Sequence, residues 1–267
     1  MPSYPDISLL VTHYNRSKSL ERLLSALEQL DLKFHEIVVS DDGSNAEHQA
    51  YITALQLRYE FSLVKAPINR GLGNNINKGQ QYIKTPFTLY IQEDFVPKPL
   101  LAEKLTLSRQ MMLADASIDF VRYYGYYSYP YVKPAEHGFN EMVFKHWKLW
   151  QHYHKYYYYS DHPHLRRSNF LERFGKYAEG VNPERAEYKM MMQVLANKPK
   201  ALIYHDINAL LTQVNDDEEP STFKRNFLRN NNHFLSVAAR ALYRYLRFNS
   251  ELLAFKIKRK VYGRSLV

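Results

Sequence analysis

Apolar residues in the first hundred positions fall into short unbroken runs, separated by segments with helical spacing. Ile7–Val11, Glu36–Val39, Phe61–Val64 and Phe87–Ile91 have strand length. Continuous apolar character of this kind marks strands covered on both faces. Between them, Ser17–Leu30 places Leu20, Leu23, Leu24 and Leu27 on one helical face, and Asn45–Leu57 and Asn74–Ile83 also read as helices. Pro97 and Pro99 suit the first turn of a further helix reaching about Ala114, and Ile118–Tyr123 is a short β-rich run. Strands alternating with helices predict an α/β domain with a largely parallel sheet and right-handed crossovers.

The pattern changes at Tyr123. Two tyrosine-dense stretches, Tyr123–Tyr131 and Tyr153–Tyr159, flank a segment holding Trp147 and Trp150. Glycine and proline interrupt the first stretch, which predicts irregular strands and loops. Helical patterning returns over Arg167–Phe174 and Pro183–Ala196, Ala201–Tyr204 reads as a late strand, and helices are expected from Thr222 onward.

The candidate chemistry sits just after the strand-length runs, where open α/β sheets bind ligands. The first run leads into Thr12-His13-Tyr14-Asn15, the second into Asp41-Asp42-Gly43-Ser44, the third toward Asn69-Arg70-Gly71-Leu72-Gly73, and the fourth into Gln92-Glu93-Asp94. A carboxylate at Asp41 can accept the imide N–H of uracil or thymine, or guanine's donors, whereas cytosine lacks that imide proton. Asn69 and Gly71 suit a turn that lets backbone approach a nucleoside. Glu93 and Asp94 offer the hard oxygens that Mg²⁺ or Mn²⁺ requires. A dinucleotide fingerprint is disfavoured, because position 76 is Ile and the first βα turn holds no glycine.

As a set, these four motifs resemble the family-2 glycosyltransferases of the GT-A fold, over roughly residues 5–205. The resemblance implies a GT-A nucleotide-binding sheet flanked by helices, with a C-terminal helical extension. It also implies transfer of a sugar from a nucleotide-sugar donor, here a UDP-sugar, to a glycan or lipid-linked acceptor. Such transfer is usually metal-dependent, and the expected course is inverting, in cell-surface polysaccharide or lipopolysaccharide synthesis. It carries base contact to Asp41, ribose or phosphate proximity to Asp42 and Thr12, and donor contacts to Tyr14, Asn15, Asn69 and Gly71. Gln92 stands where the family more often has an acid, which places the metal on Asp94, with Glu93 second. His205, after the late strand, is a candidate third ligand. The family's base region resembles Phe174–Gly180 followed by Ala186-Glu187, with Ala186 in the usual glutamate position. Glu187 is the candidate base, and Glu179 and Glu184 are rivals. The expected division is 1–221 for the transferase domain, split at 122/123 into donor and acceptor halves, and 222–267 for a basic tail.

Other signals are weaker. His146, His152, His154, His162 and His164 invite a zinc reading, but no cysteine or helically spaced partner supports it. Ser160–Arg167 lies just before the base region and is expected to line the acceptor or diphosphate side. The tyrosines could form a wall for a sugar acceptor or simply fill a half-wet core.

Charge adds location. The net charge of +9 lies wholly in the tail, where residues 223–267 hold 11 Lys and Arg against Glu251 alone. Arg240, Arg244 and Arg247 share one helical face and Leu235, Ala238, Leu242 and Leu246 another, a pattern suited to an anionic membrane surface. Nucleic acid is disfavoured by the motifs upstream. The chain has 267 residues, enough for a sizeable core, and no cysteine, so disulfides are excluded. No apolar stretch reaches membrane-spanning length, and the first residues do not read as a signal peptide. The expected location is cytoplasmic, with peripheral attachment at the inner face of the cytoplasmic membrane. A nucleotidyltransferase would want a basic glycine-rich loop after the first strand, which is absent. An inactive GT-A-like binding module at a membrane or nucleic-acid surface is the other alternative, raised by Gln92 and Ala186.

Overall fold

Alternation within the apolar runs sends neighbouring side chains to opposite sides of one sheet. The computed structural model describes residues 2–149, 153–214 and 234–262. Its elements are β1 (Ser3–His13), α1 (Ser17–Gln29), β2 (Lys33–Asp41), α2 (Ala46–Leu55), β3 (Ser62–Lys65), α3 (Leu72–Tyr82), β4 (Phe87–Gln92), β5 (Phe95–Pro97), α4 (Leu100–Ala114), β6 (Ile118–Arg122), β7 (Val132–Pro134), β8 (Phe139–Met142), β9 (His164–Arg167), α5 (Phe170–Phe174), α6 (Pro183–Ala196), β10 (Lys200–Tyr204), β11 (Leu211–Gln213) and α7 (Phe234–Tyr262). Nine strands form one sheet in the order β3-β2-β1-β4-β9-β6-β10-β8-β7, and β11 pairs with β5 in a separate ribbon.

Leu9, Val11, Val39, Leu89, Ile91 and Val121 face one layer, where Leu20, Leu23, Leu24 and Leu27 of α1 and Leu101, Leu105 and Met112 of α4 cover them. Leu10, Val38, Tyr90, Phe120 and Ile203 face the other, under Ile76 of α3, Phe170 of α5, Met190 and Val194 of α6, and Phe248 and Leu252 of α7. Burying one such leucine stabilises the fold by about 1.5–3 kcal/mol, and Leu23→Ala would cost about 2–5 kcal/mol.

Three features depart from the expected pattern. The segment expected to start a helix at Arg167 is preceded by β9, which lies antiparallel between β4 and β6. His-Leu-Arg-Arg hides this strand, because Arg166 is fully buried and donates through Nε and Nη2 to Gln80 Oε1. Pro97 is in β5 rather than a helix, and Pro99 only precedes α4 as its cap. α3 is a buried polar helix. Its Gly79 lies so close to Leu10 and Ser40 that a Cβ would collide at 2.5 Å, and a Cβ on Gly73 would meet the Ala178 carbonyl at 2.3 Å.

The parallel strands β1, β2, β3 and β4 end at one edge of the sheet. β6 and β10 end at the same edge, since β9 is antiparallel to both β4 and β6. The described part of the basic tail is one helix, α7, docked through Phe248 and Leu252. Residues 222–233 and 263–267 of the expected tail lie outside the described residues.

Candidate active site

Strands β1 and β2 are locked together at their carboxyl ends. Asp41 is fully buried, and Oδ1 accepts from His13 Nδ1 at 2.8 Å and from the Ser44 hydroxyl, while Oδ2 accepts from Ser44 N at 3.1 Å. His13 Nε2 accepts from Arg16 N at 3.1 Å, which leaves Nδ1 to donate to Asp41. Burial works against ionisation of Asp41, but these hydrogen bonds hold its carboxyl below the usual range. The base contact expected of Asp41 is left with the second lone pair of Oδ2, because Oδ1 already accepts twice. The cause is His13, whose ring takes the carboxylate from the neighbouring strand.

Asp42 faces the next loop. Its Oδ1 accepts from Arg70 N at 3.0 Å and Oδ2 from Gly71 N at 2.8 Å. Gly71 sits at φ +86° and closes on Asn69 Oδ1, so the turn read at Asn69-Arg70-Gly71 is present and fastened to β2. Gly43, at φ +71°, leaves no room for a Cβ, which would lie 2.5 Å from the Ile68 backbone. Asn15, at φ +50°, donates from its N–H to Ser44 Oγ and accepts Asn45 N at Oδ1. Thr12 Oγ1 meets the Tyr90 hydroxyl at 3.1 Å, and Tyr14 is half-buried on the same loop. The Asn69–Gly71 turn borders a cavity of about 250 Å³ whose lining includes Lys65, Pro67, Arg70, Asn74, Lys78 and Glu179.

Glu93 and Asp94 follow β4 at the same edge, both nearly buried. Arg16 Nη1 lies 3.3 Å from Glu93 Oε1 and 3.3 Å from Asp94 Oδ2. The β5–β11 ribbon brings Gln213 Nε2 within 2.9 Å of Asp94 Oδ2, and Tyr126 donates to Gln213 Oε1. Asp94 Oδ1 is buried and has no hydrogen-bond partner among the described residues. Burial and the Asp94 charge push the Glu93 carboxyl up to about 8, with Arg16 opposing. Hard oxygens, one of them open, fit a divalent cation that would draw further ligands from a diphosphate. His205 does not complete such a shell. Its Nδ1 and N–H both turn to the Gly138 carbonyl beside β8, and among the described residues no group of three or more His, Asp or Glu side chains is placed to hold a metal.

Asn182 caps α6 by accepting Arg185 N at 2.9 Å, and Pro183 opens the helix. This puts Glu187 one turn in, half-buried, at the carboxyl edge of β10. Burial and the nearby charge of Asp161 push Glu187 up to about 8, with the Arg122 guanidinium opposing. Of the rivals, Glu179 is engaged in structure: Oε2 accepts from Asn74 at 2.7 Å and Arg70 at 3.2 Å, and Oε1 from Asn77 at 3.0 Å. Glu184 is exposed. Ala186 is fully buried, where an acid would need a partner.

Sequence reasoning missed Arg16 and Arg122, and named Asp161 only within the Ser160–Arg167 segment. Arg122, buried at the end of β6, donates to Tyr157 O, Tyr158 O and Ser160 Oγ and so shapes the loop that presents Asp161 and His162. His162 is held down to about 3 by burial and Arg122 and stays neutral, its ring 4.5 Å from Tyr126. The Ser160–His164 segment is linked to both sides of the edge, through the Asp161 charge near Glu187 and through His162 on Tyr126, which donates to Gln213 beside Asp94. Of the other histidines in the candidate zinc group, His146 bonds Asn249, His154 stacks on Tyr127, and His164 packs on Tyr90, while His152 lies outside the described residues.

Residues 8–179 match the family described as glycosyl transferase family 2. The chain belongs to this family. Among curated relatives, it is 28% identical over 90 residues to the poly-beta-1,6-N-acetyl-D-glucosamine synthase of Staphylococcus epidermidis, covering 34% of this chain and 22% of that protein. It is also 28% identical over 93 residues to the GalNAc(5)-diNAcBac-PP-undecaprenol beta-1,3-glucosyltransferase of Campylobacter jejuni, covering 34% of this chain and 30% of that one. The match therefore spans less than a third of either curated relative. Among solved structures, S. aureus TarS 1–349 in complex with UDP-GlcNAc aligns with a TM-score of 0.61 at 17% identity, over 96% of this chain and 78% of that one. The mannosyltransferase PcManGT from Pyrobaculum calidifontis, in complex with GDP-Man and Mn²⁺, aligns with a TM-score of 0.54 at 15% identity, over 78% and 57%. The GT-A fold expected of this family-2 chain is the fold it has.

Proposed function

We propose that this family-2 protein is an inverting, metal-dependent glycosyltransferase that moves a sugar from a UDP-sugar to a glycan or lipid-linked acceptor in cell-surface polysaccharide synthesis. The observation that carries this reading is the buried Asp94 with one open oxygen, at the strand edge that also holds the Asp42-bound loop and Glu187. A UDP-GlcNAc complex of TarS and a GDP-mannose–Mn²⁺ complex of PcManGT on the same fold support a nucleotide-sugar donor.

Tyr14, Asn15, Asn69 and Gly71 frame the nucleoside. Asp42, each of whose oxygens accepts from one backbone N–H, offers the base more free lone pairs than Asp41, whose Oδ1 already accepts twice. Asp94, with Glu93, would hold Mg²⁺ or Mn²⁺, which when bound supplies Lewis-acid neutralisation of the diphosphate. Arg16 balances the two carboxylates while the donor is absent and can turn to the diphosphate when it arrives. Glu187 removes the acceptor hydroxyl proton as that oxygen attacks the anomeric carbon and the nucleoside diphosphate departs. A group pushed up to about 8 is a poor base in acid, so turnover should climb toward pH 8.

The tail reading changes in detail. Arg244 lies over Tyr153, and Arg247 pairs along the exposed surface of α7 with Glu251, one turn on. Leu242, Leu246, Leu253 and Ile257 point outward from α7, and among the described residues no helix is long and apolar enough to cross a membrane. Peripheral contact with an anionic membrane would use this stripe with Lys256, Lys258 and Lys260 beside it. A panel of UDP- and GDP-sugars with Mn²⁺, read as nucleoside diphosphate release, tests the function. Release from a UDP-sugar that Glu187→Gln suppresses is expected, and no release from any donor would favour an inactive binding module.

A further inference from the structure

A second cavity, of about 380 Å³, opens at the edge of the sheet opposite the candidate active site. Lys198 and Pro199 precede β10 and Val143 and Phe144 follow β8, which runs antiparallel to β10, so these residues meet at the amino end of β10. The active-site residues cluster at the carboxyl ends of the parallel strands. No part of the nucleotide reading uses this cavity.

Its lining is mixed and well braced. Phe144 packs on Tyr158 at 5.5 Å, and the Tyr158 hydroxyl donates to the Met142 carbonyl, fixing an aromatic floor. His146 stacks on Phe144 and bonds Asn249 of α7 at 2.6 Å, which ties the wall to the tail helix. Trp147, in contact with His146, is 57% exposed. Lys133, Lys198 and Lys256, from β7, the α6–β10 turn and α7, stand around it, all exposed, and Glu141 is the one acid in the lining.

An exposed indole offers a flat apolar face, and three ammonium groups attract negative charge. Glu141 narrows the choice. A bare phosphate would be repelled by it, whereas a ligand with hydroxyl donors as well as an anionic group satisfies both kinds of side chain. The volume is within the range of small-molecule sites. A single exposed ring, rather than a row of them, does not suit successive stacked bases. We propose that this cavity is a second, non-catalytic saccharide site that takes an acidic sugar unit, its ring on Trp147 and its anionic group on Lys133, Lys198 and Lys256.

The chain's two tryptophans, Trp147 and Trp150, both belong to this segment, so indole emission reports on it selectively. The full chain should be titrated at low salt with an oligogalacturonate, a neutral cello-oligosaccharide, single-stranded oligo(U) and UDP. The oligogalacturonate should change the emission saturably, more tightly than the neutral sugar, and UDP should not displace it. Binding should weaken by about tenfold or more in the Lys133→Gln/Lys256→Glu variant, and similarly when salt shortens the screening length. Both lysines are exposed, so that variant should keep its melting temperature and its UDP affinity, and Lys198→Gln serves as an independent check. Absence of a saturable change at millimolar oligogalacturonate, unchanged binding in both lysine variants, or tighter binding of oligo(U) would overturn the proposal. None of these outcomes depends on transferase turnover.

Discussion

Two pairs of adjacent acids close neighbouring regions of one sheet edge, and they are finished differently. At the end of β2, all four oxygens of Asp41 and Asp42 accept from His13, Ser44, Arg70 N or Gly71 N. Just past β4, Glu93 and Asp94 share one arginine, and Asp94 Oδ1 has no hydrogen-bond partner among the described residues. A carboxylate whose two oxygens both accept protein N–H or O–H groups is a bracket, which holds strands and loops in register. One left short of donors in a buried place is costly to keep, and a cation or a substrate relieves it. The first region fastens the Asn69–Gly71 loop, and in the proposed function the second is the one that binds.

Glu187 tests the binding side most strongly. Glu187→Gln keeps the side-chain shape and removes the proton acceptor, so kcat should fall by about 10²–10⁴ with donor affinity retained. Loss of donor affinity with little change in kcat would instead make it a donor contact. The bracket side responds through stability. Asp41→Ala strips His13 and Ser44 of their acceptor inside the core and should cost about 3 kcal/mol in denaturant unfolding, whereas Asp94→Asn should leave stability nearly unchanged. Equal destabilisation by the two would erase the distinction between the pairs.

A smaller effect comes from pH. Glu93 and Glu187, both pushed up to about 8, bind protons in the native state over a range where the unfolded chain has released them. Stability is then fully present below about pH 4, declines as pH rises, and levels off above about 8. The melting temperature should be higher at pH 5.5 than at 8.5, with a shallower decline in Glu187→Gln. A flat profile would place both groups in a more watery setting.

Much of this was legible in the chain. The alternating runs gave the parallel strands and their layers, and the four loops gave the edge where the site lies. What stayed hidden depends on contacts between distant residues. His-Leu-Arg-Arg becomes a central strand only because Gln80 from α3 receives the Arg166 guanidinium. β5 and β11 are three-residue strands that form by pairing with each other, far apart in sequence. Asp41 reads as a base contact until His13 is seen across from it in the β1–β2 register. Likewise, His205 follows a strand as a metal ligand would, but the β8 edge places a carbonyl acceptor at Gly138 within its reach.

The most direct test of the difference between the two acid pairs is calorimetric titration of UDP into the wild-type chain and Asp94→Asn, each with Mn²⁺ and with chelator. The open oxygen of Asp94 predicts that Mn²⁺ tightens UDP binding by about tenfold or more in the wild type, and that Asp94→Asn removes the gain without lowering the melting temperature. Equal wild-type affinity with and without chelator, or a metal effect that survives in Asp94→Asn, would contradict it.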